Sequence, residues 1–181
     1  SSQSVETLAA ADSEGAINLT GNALAQSLYG NGSANALISG GGADYLVGGG
    51  GTDTFVLAKA PGIATIGDYA SGEVVDISQI LSVANGTDVV AGGYLKVTSG
   101  GELQVDFNGG GDNWMTLANV SGSSAVTIRY LSGGNGTHLT VARSASQTSA
   151  MAAAAAGMAA LPLDPKAPED SSSSSQSGDA S

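Results

Sequence analysis

The 181-residue chain contains no cysteine, so neither a disulfide framework nor a thiolate metal site can staple it. Only five lysines and arginines stand against sixteen aspartates and glutamates, for a net charge of −11. That balance argues against nucleic acid, which demands basic patches, and against anionic membrane surfaces. No apolar run approaches bilayer-spanning length, so membrane insertion is not expected. The one histidine, His138, lies in an alternating strand-like run without the partners that a zinc site or a catalytic triad needs. Neither G-x-S-x-G nor H-E-x-x-H occurs, and the glycine runs match no phosphate-cradling motif. The chain is therefore expected not to be an enzyme. Aromatics make up only 4% of it, so the core has few large side chains and must lean on ladder hydrogen bonds and bound ions.

What it has instead is glycine, 28 residues of it, and a repeat. From Gly21 to Val56 four nine-residue copies follow one another: GNALAQSLY, GNGSANALI, SGGGADYLV and GGGGTDTFV. The eighth position of each is large and apolar (Leu28, Leu37, Leu46, Phe55), and the sixth bears oxygen (Gln26, Asn35, Asp44, Asp53). Glycines in the first half of each copy permit backbone angles closed to other residues and leave carbonyls accessible. The second half is a strand long enough to send one apolar side chain inward. No copy can bury that side chain alone, so the copies must stack.

The last two copies fit the calcium-binding nonapeptide pattern G-G-x-G-x-D-x-U-x, and the array resembles the parallel β-roll of RTX (repeats-in-toxin) proteins. The resemblance implies calcium between loops on the same side of the roll, with Asp44 facing Gln26 across one site and Asp53 facing Asn35 across the other. The glycine-rich halves, Gly40, Gly42, Gly49 and Gly51 among them, would add backbone carbonyls to a coordination shell of about six to eight oxygens. Gln26 and Asn35 offer amide oxygen where the pattern has carboxylate, so at most two weak sites are expected, with dissociation constants of about 10⁻⁴ to 10⁻³ M.

The stretch Ile66-Gly67-Asp68-Tyr69, then Gly72-Glu73 and Val75-Asp76-Ile77-Ser78, resembles the segment that follows RTX repeats in type I secreted adhesins and some secreted metalloproteases. Val74 stands where that segment usually carries a polar or acidic residue, which weakens any third ion site there. Asp68 and Asp76 read better as turn caps than as ligands. Further strand-like runs, at 94–98, 102–107, 114–117, 125–130 and 138–142, alternate with period two between Gly, Asn and Ser separators, which suggests antiparallel structure. Ser99-Gly100-Gly101 is a hairpin turn between the first two. Asp106 to Asp112 begins like an EF-hand but lacks the closing glutamate and flanking helices, so it reads as a β-turn.

The expected organisation is all-β: a linker over 1–15, a short parallel β-roll over 16–58, an antiparallel β-rich type I secretion module over 59–143, and an Ala- and Ser-rich tail over 144–181. The tail is expected to be disordered, apart from helix favoured between Ala150 and Leu161. The chain reads as the C-terminal piece of a longer protein. The resemblance implies a secreted or cell-surface location in a Gram-negative bacterium, calcium and the type I secretion machinery as partners, and a parent adhesin with its own surface or cell-wall target. The alternatives are an accessory domain of a secreted hydrolase and a surface-layer protein.

Overall fold

Strand by strand, the chain alternates between two sheets. In a computed structural model that describes residues 6–12, 15–59 and 62–144, β1 (Thr7–Ala9), β3 (Ser27–Tyr29), β5 (Tyr45–Val47) and β7 (Ala64–Tyr69) pair in parallel in one sheet. The intervening strands β2 (Asn18–Thr20), β4 (Ala36–Ile38), β6 (Thr54–Val56) and β8 (Val74–Asp76) pair in parallel in the other. After β9 (Ser82–Val83) the pattern changes. The first sheet is extended by β12 (Met115–Gly122), parallel to β7, then by β11 (Glu102–Val105) and β10 (Leu95–Val97), both antiparallel. The second is extended by β13 (Ala125–Ser132), parallel to β8, then by antiparallel β14 (Asn135–Ala142), while β9 also pairs with β13. The protein is all-β among its described residues, with both sheets parallel over their first four strands.

The nonapeptide arithmetic explains the first part. Three-residue strands can send only their middle residue inward, and Leu28, Leu37, Leu46 and Phe55 are each fully buried. Ladder register stacks them: Leu28 on Leu46 on Ile66 in one sheet, and Leu37 on Phe55 on Val75 in the other. Beyond Ser82 the core continues through Leu95, Val97, Leu103, Val105, Val126 and Ile128, which alternate with exposed or half-buried neighbours along longer strands. Ser99-Gly100-Gly101 does close the β10–β11 hairpin, with the Gly101 N–H donating to the Thr98 carbonyl. A strand forms within the stretch read as linker, since Thr7–Ala9 pairs with Ser27–Tyr29. The helix expected between Ala150 and Leu161 lies outside the described residues.

Tyr69, at the end of β7, ties the sheets together. Its buried hydroxyl donates to the Glu73 carbonyl at 2.6 Å and accepts from the Thr127 N–H of β13 at 2.8 Å. Phe55 packs against the same ring, with centroids 6.4 Å apart. Phe55→Ala should therefore cost about 3–5 kcal/mol, the usual penalty for emptying a buried aromatic site. Urea denaturation would measure it, and a loss below 1 kcal/mol would contradict this core.

Candidate metal centre

The residue just before each short strand is the sixth of its nonapeptide, and strand register stacks these residues in two columns. One runs Glu6, Gln26, Asp44, Ala64, because the residues that follow them pair in turn: Thr7 with Ser27, Ser27 with Tyr45, Tyr45 with Thr65. The other runs Ile17, Asn35, Asp53, Glu73, set by Asn18 with Ala36, Ala36 with Thr54 and Thr54 with Val74. From Gln26 upward in the first column and Asn35 upward in the second, all but Ala64 bear side-chain oxygen, and all are buried.

The lower members satisfy themselves. Gln26 turns its amide oxygen onto the Asn22 N–H at 2.6 Å, and Asn35 turns its own onto the Asn31 N–H at 2.9 Å, each closing its own loop. Asn35 also donates through Nδ2 to the Ile17 carbonyl at 2.8 Å. The upper members reach down a level: Asp44 Oδ1 accepts from the Gln26 N–H at 2.9 Å, and Asp53 Oδ1 from the Asn35 N–H at 2.7 Å. The expected neighbours thus meet, but carboxylate meets backbone N–H. The amide oxygens of Gln26 and Asn35 serve their own loops.

The second oxygens differ. Asp44 Oδ2 and Asp53 Oδ2 are buried and make no well-formed hydrogen bond among the described residues, although the Gly41 N–H acts on the Asp44 carboxyl and the Glu73 carboxyl lies near that of Asp53. Leaving a carboxylate oxygen so exposed to low dielectric is expensive. Burial accordingly raises both pKa values, against the lowering effect of the Gln26 and Asn35 N–H groups. Calcium takes oxygen ligands from carboxylates and backbone carbonyls in combination, and these two unpartnered oxygens fit such a cation. Arg129, which could neutralise an acid, is engaged with Asp76 at 2.6 Å. Among the described residues no three His, Cys, Asp or Glu side chains converge on one point, so backbone carbonyls would have to complete any shell.

The loops bring backbone carbonyls close to the glycines. A side chain on Gly42 would collide with the Leu24 carbonyl, and one on Gly49 with the Asn31 carbonyl. Gly40, Gly49 and Gly51 also hold positive φ, of 68°, 90° and 97°. All four expected glycines therefore sit where loops two strands apart press together.

Glu73 was not among the expected ligands. It is 1% exposed, its Oε2 accepts from the Ala70 N–H at 2.7 Å, and it stands next above Asp53 in the same column. Burial foremost, then the charges of Asp53 and Asp68, push its pKa up to about 7. The signal for it was the register: Thr54 pairs with Val74, twenty residues on, whereas Ala36 pairs with Thr54, eighteen on. Counting by nines loses phase across that lengthened connection. Asp68 does act as a cap, accepting from the Gly48 and Gly49 N–H groups at 2.9 and 2.8 Å. Asp76 caps the Ser78 N–H at 2.8 Å besides pairing with Arg129. Asp106 is spent closing its own loop, with N–H donors from Asn108, Asp112 and Asn113.

Comparisons with models of known families, with curated proteins and with solved structures found no match.

The raised carboxyls set a pH dependence in calcium-free solution. A folded-state pKa above the unfolded one stabilises the fold below the unfolded value, and the gain disappears as pH rises through the folded value. Asp44, Asp53 and Glu73 thus favour folding near pH 4 and oppose it by pH 7. Asp76 and Asp106 behave oppositely. Burial alone would raise their pKa values, but hydrogen bonds (and, for Asp76, Arg129) lower them, so their contribution is lost on acidification. Stability measured by urea unfolding in EGTA should peak around pH 4–5 and fall by roughly 1–3 kcal/mol toward pH 7.5. A flat or rising profile between those values would show that the buried acids are not strained.

Proposed function

We propose that this chain is a non-enzymatic, calcium-binding module of a type I secreted RTX protein, folding as a short parallel β-roll that continues into an antiparallel β-rich segment. One observation carries this reading: the sixth residues of the two best-matched nonapeptides, Asp44 and Asp53, each bury a carboxylate oxygen that makes no well-formed hydrogen bond. The parallel register of the short strands, with every eighth-position side chain buried, supports the stacking that the repeat demands.

Asp44 and Asp53 would hold the ions through their second oxygens, with backbone carbonyls of the glycine loops around them. Calcium supplies the positive charge that lets both stay ionised at neutral pH. The chain's own residues do the rest. Gln26 and Asn35 backbone N–H groups fix each carboxylate in place, and the glycines let carbonyls approach. With a net charge of −11, the unliganded chain repels itself and resists compaction. Weak sites stay empty in a low-calcium cytosol, keeping the chain exportable. Outside, at roughly ten times the dissociation constant, each ion adds about 1.4 kcal/mol to folding. Folding on the far side of the membrane then opposes return. The parent protein is read as an adhesin with a surface target.

Calcium at 10 mM should raise the melting temperature of the whole chain by roughly 3–6 °C per ion over EGTA. The Asp44→Asn and Asp53→Asn pair should abolish that rise without lowering the melting temperature in EGTA, and should reduce recovery of the protein outside the cell. A wild-type chain indifferent to 10 mM calcium by circular dichroism and melting would refute the calcium reading outright.

A further inference from the structure

We infer that Glu73 is a metal ligand, and that the buried Asp53–Glu73 carboxyl pair forms a divalent-cation site joining the last nonapeptide to the segment after it. This deepens the calcium reading above and rests on it. It moves the Asp53 ion away from Asn35, where the repeat pattern would put it, toward the opposite neighbour in the column.

Three observations support the assignment. Val74 pairs with Thr54, so Glu73 holds in β8 the register position that Asp53 holds in β6. Glu73 is therefore the next member of the sixth-position column, although no nonapeptide encodes it. Second, the side that the repeat pattern assigns is already closed. Asn35 uses its amide oxygen on Asn31 and its Nδ2 on Ile17, and presents only a backbone N–H to Asp53. An N–H repels a cation. Third, Asp53 is fully buried with an Oδ2 that makes no well-formed hydrogen bond, and the next member of its column is another carboxylate, itself 1% exposed. Two acids buried against each other must share a proton or a cation.

Nearby groups suit that role. Glu73 is held by the Ala70 N–H on Oε2, and its carbonyl is held by the Tyr69 hydroxyl, which fixes the turn that carries the carboxyl. Asp68 spends both oxygens on Gly48 and Gly49, pinning the loop that precedes Asp53. The other column has no counterpart, since Ala64 occupies the position equivalent to Glu73. The two columns should therefore bind calcium unequally, with the stronger site at Asp53 and Glu73.

Calcium titration calorimetry on the whole chain, paired with melting curves in EGTA, tests this. Glu73→Gln can donate an amide hydrogen to Asp53 and relieves the like-charge contact. It should melt in EGTA at or above the wild-type temperature, yet bind one ion fewer or bind it at least tenfold more weakly. Asp44→Asn should leave that ion in place. Glu73→Lys, which brings its own positive charge to Asp53, should also fold in EGTA and lose the same ion. If Glu73→Gln is unfolded in EGTA, Glu73→Lys decides by the same readouts. Wild-type calcium uptake with undiminished affinity in either folded variant overturns the role of Glu73 while leaving the calcium reading intact. A wild-type chain that takes up no calcium removes both.

Discussion

Parallel strand register is the constraint on which the rest of this structure depends. Because each short strand pairs with the one two places later, residues at equivalent positions stack without offset. Stacking makes the inward apolar residues a continuous core. It also forces Gln26, Asn35, Asp44, Asp53 and Glu73, which precede their strands, into polar columns that are just as buried. A lone polar side chain in a loop can turn to water; one in such a column cannot. Each column member must find its partner in its own loop or in the level next to it. The chemistry of the candidate site follows from that restriction more than from any single residue.

Much of this was legible in the sequence because the repeat exposes it. The apolar eighth position marked Leu28, Leu37, Leu46 and Phe55 as core, and the oxygen-bearing sixth position marked Gln26, Asn35, Asp44 and Asp53 as the polar column. Period-two alternation found the strands between 94 and 142 and the hairpin at Ser99-Gly100-Gly101. Other features had no such signature. Thr7–Ala9 is too short to show a period and has one large apolar residue, so only its pairing with β3 reveals it as a strand. The orientation of the Asn35 and Gln26 amides depends on which N–H lies nearest, which composition does not encode. Glu73 was visible as a residue and hidden as a column member, since the register spacing stretches from eighteen to twenty across one connection.

The column that precedes β2, β4, β6 and β8 reads Ile17, Asn35, Asp53, Glu73: apolar, amide, acid, acid. An amide can donate and accept, so it satisfies itself and its neighbours without outside help. An ionised carboxylate only accepts, and two in succession leave more acceptors than the backbone has donors. The lower levels of the stack are therefore self-sufficient, and the demand for positive charge concentrates at the upper end.

That end is also where the short parallel strands meet the longer ones. The Tyr69 hydroxyl spans from the Glu73 carbonyl to the Thr127 N–H of β13, and β13 and β12 pair directly with β8 and β7. Had the acids been placed low in the column, neutralising them would have ordered only a loop against its neighbour. Where they stand, Glu73 is linked through the Ala70 N–H to its own turn and through its carbonyl to the Tyr69 hydroxyl, which bonds the Thr127 N–H of β13. On the proposal of a shared Asp53–Glu73 cation, an electrostatic defect confined to one pair of carboxyls lies at the joint between the repeat and the strands that follow it. On the proposed calcium reading, a fold triggered by a cation gains most from placing the defect there.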